Sequence, residues 1–464
     1  MKRKLVSTIL VGTMVLSMVL TGCGGSGGDS GSGAASGSDS GTASDAGSSS
    51  DDGGASGDAS ATGEKPFAGV TLKWWGGQAE ANEGTLAVMA AATEKLGMEF
   101  DLEINPGGSE GDNILKTRMA SGLEADFYVW NSGSKLHELN PSRGFLDISD
   151  WDIVQKFDDA FLSSVTIDGA VYGAPQSSTQ AGAVIYYKPD YEELGLEVPH
   201  TWDEFVANCQ ALKDAGKTPI EFCNGDTWTT QVLFLGDYYN VAAADPTFAE
   251  DYTNGTAKYA DIPAATRSWT KYEDLVDFLN ADASAATVTD GNTAIATGAA
   301  THWFILTQQL PLIIAEAENQ ADIGVFGVPG DDANNHGLTV WEPMSWYVSK
   351  DSQNIEAVHA FFDFYYSEEA LDLYFETYGA NGPSCVKGYE LPESVCDAVR
   401  VDMQKYFDDN KTVPALEYQS PIKGTACEQL TSATGLGQMK GVDAAAAYDE
   451  DCKKSAVQLG YDWD

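Results

Sequence analysis

The stretch from Val70 to Gly77, VTLKWWGG, opens the segment that decides the fold of this chain. Its apolar side chains alternate with Thr71 and Lys73, and a period of two predicts a strand. From Leu86 to Leu96 the apolar positions recur at helical spacing, and the following Gly97 is typical of a helix C-cap. The first two elements are therefore a strand and an amphipathic helix.

The same alternation of strand and helix continues as far as Trp130. Residues 98–104 again alternate, 114–120 have helical spacing that stops near Gly122, and 125–130 form an apolar run suited to a strand buried on both faces. A β-α-β-α-β order predicts a parallel sheet with helices on both sides. Ligands bind such sheets beyond the carboxyl ends of the strands. Here those ends carry Trp74–Gln78 and Trp130–Ser132.

Further along the chain the signals are more local. Ile167–Ala170 has the composition of a hairpin turn, and Thr201–Glu204 is a capping box that starts a helix ending near Gly216. We expect one helix over Trp228–Tyr239 and a strand-like segment at Ala294–Ala296. Late helices are predicted over 353–366, 368–375 and 443–459.

Composition restricts the class of partner. The 464 residues carry 26 Lys and Arg against 70 Asp and Glu, a formal net charge of −44. A chain with no basic field does not attract a nucleic-acid backbone, so nucleic acid is excluded as the main partner. Because 43% of residues are hydrophobic and 11% aromatic, the chain has the material for a folded core despite its charge.

The N-terminus resembles an export signal. A basic start is followed by an apolar run from Leu5 to Leu20 and by the small residues before Cys23. A transmembrane helix is the alternative, but the run is short for a span and has no cationic flank after it. Leu20–Cys23 resembles a bacterial lipobox, which predicts a signal peptide over 1–22 and a lipidated, palmitate-bearing Cys23.

Residues 24–63 contain only Gly, Ser, Ala, Asp and Thr. Without large apolar side chains such a segment cannot bury enough surface to offset its ordering entropy. We therefore expect 23–63 to be a lipidated Cys followed by a disordered tether. The protein would be anchored by lipid alone at the outer face of the bacterial cytoplasmic membrane.

Several short motifs occur together along the chain. In chain order they are Leu20–Cys23, Trp74–Gly77, Gly122–Asp126, Gly144–Ile148, Asp168–Pro175, Tyr186–Asp190, Pro199–Phe205, and Asn292–Ala296 with Trp303. This order resembles that of the family 1 extracellular solute-binding proteins of ABC importers, which include maltose- and oligosaccharide-binding proteins. Each motif is degenerate alone, and it is their joint order that is specific.

The resemblance implies an α/β, two-lobe periplasmic-binding-protein-like fold of class II, with hinge-crossing strands and a ligand cleft between the lobes. Lobe 1 is expected over 64–183 plus about 322–370, and lobe 2 over about 184–321 plus 371–464. The implied function is capture of a mono- or oligosaccharide and its delivery to ABC permease subunits, by a monomer that needs no cofactor and catalyses no reaction.

The resemblance also implies ligand-binding residues. These are Trp74, Trp75, Gln78, Glu80, Asn131, Ser132, Trp228, Trp303, Trp341 and Glu342, with Asn381 as a further candidate. Aromatic platforms and planar polar groups suit the apolar faces and hydroxyl edges of sugars. The alternative for each Trp is ordinary core packing. No aromatic-rich stretch in the last hundred residues matches the late sugar-contacting segment of the family.

Two other classes of function stay open. A tethered glycan-degrading enzyme could use two of the seventy carboxyl groups, although no spacing selects a pair, and the binding fold could instead take a polyamine or a metal. The five His show no metal-ligand spacing, so no metal site and no catalytic residue is predicted. The six Cys beyond Cys23 permit local disulfides, such as Cys385–Cys396 or Cys427–Cys452, or free buried thiols.

Overall fold

A computed structural model describes residues 65–463. The predicted signal peptide (1–22), the lipidated Cys23 and the tether lie outside the described residues. Among the described residues the strands are β1 (Thr71–Gly77), β2 (Glu99–Asn105), β3 (Phe127–Trp130), β4 (Thr166–Ile167), β5 (Ala170–Val171), β6 (Gly173–Pro175), β7 (Gln180–Tyr187), β8 (Ile220–Glu221), β9 (His302–Leu306), β10 (Ile323–Gly327), β11 (Leu338–Trp341), β12 (Ser345–Val348) and β13 (Thr412–Pro414).

The same region also contains eighteen α-helices, and one π-helix spans Ala398–Met403. The α-helices are α1 (Glu83–Leu96), α2 (Gly108–Ser121), α3 (Ser134–Leu139), α4 (Asp159–Val165), α5 (Lys188–Leu194), α6 (Trp202–Asp214), α7 (Val232–Gly236), α8 (Tyr238–Ala244), α9 (Phe248–Thr253), α10 (Pro263–Leu275), α11 (Val288–Thr297), α12 (Leu310–Glu316), α13 (Ile355–Tyr365), α14 (Glu368–Tyr378), α15 (Gln404–Asp408), α16 (Leu416–Gln419), α17 (Cys427–Gly435) and α18 (Gly441–Leu459). No helix among residues 65–463 is long and apolar enough to cross a membrane.

The first sheet has the strand order β2-β1-β3-β12-β6. The strand β1 runs parallel to both β2 and β3, which confirms the β-α-β-α-β prediction, and β12 joins antiparallel to β3. Gly97 ends α1 in the left-handed conformation at φ 90°, as expected of a glycine C-cap. Because Trp75 is in register with Tyr128, the loops that follow β1 and β3 leave the same edge of the sheet.

The second sheet is centred on β7. Its strand order is β13-β11-β7-β9-β8, and β10 pairs with the second half of β7 while β11 pairs with the first half. Its strands come from segments that are far apart in the chain. On one face of this sheet Phe205, Phe304 and Phe326 pack together, and the first sheet buries a similar aromatic layer made by Phe127, Trp346 and Phe361.

The two sheets form two lobes, and the chain leads directly from one sheet to the other at residues 176–179 and at 342–344. Residues 379–385 pack beside these two segments, and the chain directly after them is still in the first lobe, where Val386 bridges to Phe157. We call 176–179, 342–344 and 379–385 the crossing segments. The backbone N–H of Gln176 donates to the carbonyl of Met344 (3.0 Å), and that of Thr179 donates to Pro383 (3.0 Å). These bonds tie the three segments together, and the two-lobe prediction is confirmed.

The predicted lobe boundaries need correction at two places. Residues 322–341, expected in lobe 1, carry β10 and β11 and belong to the second sheet through their pairing with β7. Residues 371–378, expected in lobe 2, belong to α14, which packs on α1 of the first lobe. Residues 322–341 belong to the second lobe because their strands pair with β7, which is distant in the chain, and a local sequence pattern does not reveal such pairing.

Two local predictions are wrong. Ala294–Ala296 is not strand-like but lies in α11, which starts with a capping box of Thr287 and Asp290 and ends at Gly298. The helix expected over 228–239 is a 3₁₀ turn, then α7, then α8. The break falls at Asp237, whose carboxylate accepts hydrogen bonds from the buried Lys271 and Ser268 instead of remaining on a regular helix surface.

Other local predictions are confirmed. The hairpin turn has Asp168 and Gly169 at positive φ between β4 and β5, and the capping box at Thr201 starts α6. The six cysteines within residues 65–463 are free and buried, so the free-thiol alternative is the one the structure has. Burial raises the pKa of the Cys385 thiol well above its ordinary value, which disfavours the reactive thiolate.

Candidate functional site

The loop after β1 lies against the first crossing segment. The side-chain amide of Gln176 donates to the carbonyl of Glu80 (2.7 Å) and to the hydroxyl of Thr85 (3.0 Å). Burial raises the pKa of the Glu80 carboxyl, and its side chain folds back over Gly77. Gln78 is exposed. Of these two predicted ligand residues, Glu80 is therefore held next to the crossing segments and Gln78 faces solvent.

The loop after β3 places Asn131 and Ser132 beside the second crossing segment. The hydroxyl of Tyr347, on β12, donates to the carbonyl of Asn131 (3.0 Å). The side chain of Ser132 is buried, and its Oγ makes no well-formed hydrogen bond within residues 65–463, although the Tyr418 hydroxyl lies within its reach. Buried polar atoms are normally paired, so Ser132 has capacity for a further hydrogen bond.

The two tryptophans of β1 lie in the core of the first lobe. Trp74 is fully buried, and Trp75 is 1% exposed, with its ring 5.6 Å from that of Tyr128 and 5.6 Å from the Arg118 guanidinium. Both rings therefore belong to the hydrophobic core of the first lobe. Core packing, the alternative considered above, explains why both positions are Trp.

Trp228 and Trp303, which sequence reasoning treated alike, occupy different environments. Trp303 is 1% exposed on β9, directly beneath Gly291 of α11, where an added Cβ would lie 2.6 Å from the indole ring. Trp228 is half-buried in the 3₁₀ turn over Thr227–Gln231. Only the second ring retains surface that a ligand could cover.

Trp341 and Glu342 lie where β11 leads into the second crossing segment. The indole N–H of Trp341 donates to the Glu417 carboxylate, and its ring lies over Gly182. Glu342 is 6% exposed; burial, and then the nearby Asp158 carboxylate, raise its pKa to about 8. Its Oε2 lies 3.8 Å from the thiol sulfur of Cys385. The Glu342 carboxyl is therefore predominantly neutral at pH 7.

Sequence reasoning missed Gln180 and named Asn292 only as part of a motif. The Oε1 of Gln180 and the Oδ1 atoms of Asn292 and Asn381 are buried without hydrogen-bond partners among the described residues. The Nδ2 of Asn292 donates to Gln309 (3.1 Å). No sequence motif marks Gln180, and the burial of these three amide oxygens is visible only in the structure.

These amides belong to elements that adjoin the crossing segments. Gln180 directly follows the first segment, and the backbone N–H of Ala181 donates to Thr307 (2.8 Å), in the same turn as Gln309. The backbone N–H of Asn381 donates to Ser178 in the first segment (3.0 Å). The arrangement supplies several unpaired acceptors around the junction of the lobes, which a ligand rich in hydroxyl donors could satisfy.

Tyr418 is a second residue that the sequence did not indicate. It belongs to α16 of the second lobe, and its hydroxyl donates to the carbonyl of Glu342 (3.3 Å). Its ring lies against Gly133 of the first lobe, next to Ser132. An aromatic side chain from the last fifty residues therefore does reach the junction of the lobes.

A two-lobe α/β fold with unpaired polar groups at the lobe junction is the architecture of a solute-binding protein. Comparison with known proteins leads to the same class. The family profile described as "Bacterial extracellular solute-binding protein" matches residues 78–372, which is more than half of the chain. The chain belongs to this family, as the order of motifs predicted.

Similar proteins are known individually. The Multiple sugar-binding protein of Streptococcus mutans is 24% identical over 319 residues, covering 65% of this chain and 73% of that protein. The Osmoprotective compounds-binding protein GgtB of Synechocystis is 35% identical over 157 residues, only 32% of this chain and 37% of that protein.

Solved structures show the same fold. RafE in complex with raffinose is 20% identical, with a TM-score of 0.69 over 83% of this chain and 100% of that one. A chitin oligosaccharide binding protein is 21% identical, with a TM-score of 0.69 over 84% of this chain and 99% of that one. At such identities the likeness concerns the fold.

Proposed function

We propose that this protein captures a carbohydrate, a mono- or oligosaccharide, between its two lobes and delivers it to the permease subunits of an ABC transporter. The observation that carries the proposal is the set of buried, unpartnered polar atoms around the crossing segments, on Ser132, Gln180, Asn292 and Asn381. Relatives described as sugar-binding support the same ligand class.

The chemistry of this set favours a neutral ligand with many hydroxyls. Each hydroxyl donates to one amide oxygen and accepts from another group, so a sugar can satisfy acceptors that would otherwise be costly to bury. The half-buried ring of Trp228 offers an apolar face of the kind that stacks on a sugar ring. Glu342, neutral at pH 7, adds no strong charge to this environment.

Capture follows from the two-lobe architecture. A ligand that contacts both lobes binds the closed form more tightly than the open form, and it shifts the population toward closure. The proposed ligand contacts are Glu80, Asn131, Ser132, Trp228 and Glu342 of the predicted set, together with Gln180, Asn292 and Asn381. We further propose a monomer that is held outside the cell by a palmitate-bearing lipid on Cys23 after removal of residues 1–22, and that performs no catalysis.

Calorimetric titration with a panel of ligands tests the proposal. The panel contains raffinose, a chitin disaccharide, xylobiose, galactose, spermidine and zinc, and each mixture is then analysed for released reducing ends. We expect binding of at least one sugar without turnover. Reducing ends would instead establish the glycan-degrading alternative, and binding of spermidine or zinc alone would establish the polyamine or metal alternative.

Variants connect the binding to the site. Gln180→Ala and Asn381→Ala should each weaken sugar binding about tenfold, because a hydrogen bond made in a buried site contributes roughly 1.4 kcal/mol. The matched control is Gln438→Ala, an exposed amide on the turn after α17. Unchanged affinity in both site variants would place the ligand elsewhere.

A further inference from the structure

The segment between β13 and α17 belongs to the second lobe by its backbone. We call residues 415–423, which include α16, the clasp. The strand β13 pairs in parallel with β11, and the backbone N–H of Ala415 continues this ladder by donating to the carbonyl of Val340 (2.9 Å). The base of the clasp is therefore anchored on the second sheet.

Side chains fix the clasp to the same lobe. The Glu417 carboxylate accepts hydrogen bonds from the Trp341 indole and from the Lys423 ammonium (2.7 Å). Burial opposes ionisation of Glu417, but the Lys423 ammonium, the Trp341 N–H and the more distant Lys135 ammonium outweigh it and lower the pKa of the carboxyl. Because Lys135 lies on α3 of the first lobe, this charge also attracts the opposite lobe.

The tip of the clasp contacts the first lobe. A Cβ placed on Gly133 would lie 2.4 Å from Cδ1 of Tyr418, so the ring occupies the space above this glycine. Gly133 has φ +65°, and its N–H donates to the carbonyl of Ser164 (2.8 Å), which holds it in place. A side chain at this position would be strained and would displace the ring.

The Tyr418 hydroxyl extends the contact to a crossing segment. Tyr418 is half-buried, its hydroxyl donates to Glu342 in a crossing segment, and burial raises the pKa of the phenol well above its ordinary value. The phenol is therefore neutral throughout the physiological range.

We propose that Tyr418 is an inter-lobe clasp, whose ring rests on Gly133 and holds the two lobes together. Tyr418 acts as a positioning residue. It biases the population toward the closed form, so bound ligand escapes more slowly at the end of the site beside Ser132. The proposal rests on the two-lobe fold, and its slower-escape consequence also rests on the proposed function.

Scattering and hydrogen exchange test the clasp without ligand. The variants are Tyr418→Ala, Tyr418→Phe and the control Tyr461→Ala, a tyrosine 37% exposed beyond α18, each checked for folding by its melting transition. In Tyr418→Ala we expect a larger radius of gyration and faster amide exchange in residues 131–135, which belong to the opposite lobe. Tyr418→Phe keeps the ring and should resemble the unmodified protein.

The proposal is overturned if Tyr418→Ala leaves both the radius of gyration and the exchange of 131–135 unchanged, or if Tyr418→Phe opens the lobes as far as Tyr418→Ala does. Should Tyr418→Ala fail to fold, exchange is measured in Gly133→Ala, whose added methyl displaces the ring. Protection of residues 415–423 equal to that of the unmodified protein would then count against the clasp.

Dissociation kinetics test the consequence for the ligand. Raffinose, or the panel sugar with the largest heat if raffinose gives none, should leave Tyr418→Ala about tenfold faster, as expected for loss of one well-packed aromatic contact. An unchanged rate would overturn the slower-escape part of the proposal. If no panel sugar binds, the proposed function fails while scattering and exchange still decide the clasp.

Discussion

The aromatic layers of the two sheets and the crossing segments between them differ in the kind of group that they bury. In the layers, the rings of Phe127 and Trp346 are fully buried and stack on one another at 5.3 Å, although the indole N–H of Trp346 has no hydrogen-bond partner within residues 65–463. In the crossing region, oxygens such as those of Gln180 and Asn381 are buried without partners. The difference teaches that some residues stabilise the fold while others are available to bind a ligand. The presence of a Trp in the sequence does not indicate which of these two roles it has.

The largest expected effect is a loss of stability at Trp303. Trp303→Ala should reduce the free energy of unfolding by about 3–5 kcal/mol, because it empties a fully buried site beneath α11. Urea denaturation measures this loss. If Trp303→Ala were as stable as the unmodified protein but could not bind sugar, the assignment of Trp303 to the core would be wrong.

The next effect concerns the Glu342 carboxyl and pH. Its pKa is raised from 4.5 unfolded to about 8 folded, so the folded state holds an extra proton between these values. The free energy of unfolding should therefore fall by about 1.4 kcal/mol per pH unit as pH rises through this window. The stabilising contribution is present at low pH and lost toward pH 8.

Glu342→Gln provides the comparison for this pH dependence. Glu221 and Asp449, whose pKa values burial raises to about 7 and about 6, titrate in both proteins. The difference between the two unfolding curves therefore isolates Glu342. Parallel pH profiles for the variant and the unmodified protein would show that the carboxyl is not held neutral in the fold.

A smaller change, confined to the free energy of sugar binding, is expected at Trp228. Trp228→Ala should weaken sugar binding about ten- to hundredfold while the free energy of unfolding changes by less than about 1 kcal/mol, because the ring is only half-buried. Calorimetry and urea denaturation on the same samples separate the two quantities. A large stability loss with unchanged affinity would reverse the contrast between Trp228 and Trp303.

The smallest effect is expected at the start of α11, the helix that carries Asn292. Thr287→Ala removes one half of the capping box and should cost about 1 kcal/mol of stability, with a lowered melting temperature. Thr201→Ala at the equivalent box of α6 is the matched control, since α6 carries none of the proposed ligand contacts. Weaker sugar binding in Thr287→Ala alone would show that the cap of α11 helps to position Asn292. Equal sugar binding in both variants would show that this cap affects only stability.

The first lobe was more accessible to sequence reasoning than the second. Its strands β1 to β3 and its helix α1 follow one another within sixty residues, so alternation and a glycine cap predict them directly. In the second sheet β7 pairs with strands more than a hundred residues away, and the predicted boundary at 322 was wrong for that reason. The boundary at 370 was wrong because α14 continues to Tyr378 and packs on α1. The strand-like prediction for Ala294–Ala296 is wrong because the capping box of Thr287 and Asp290 starts a helix that runs through these residues.

The sequence by itself determined the family, the α/β class and the acidic character of the chain, because ordered motifs, residue periodicity and charge are properties of the chain. Only the tertiary structure decided which Trp is core, which amide oxygens lack partners, and that Tyr418 reaches Gly133. Burial and hydrogen-bond pairing depend on neighbours from distant parts of the chain, here 285 positions apart in the case of Tyr418 and Gly133. No pattern within either segment contains that information.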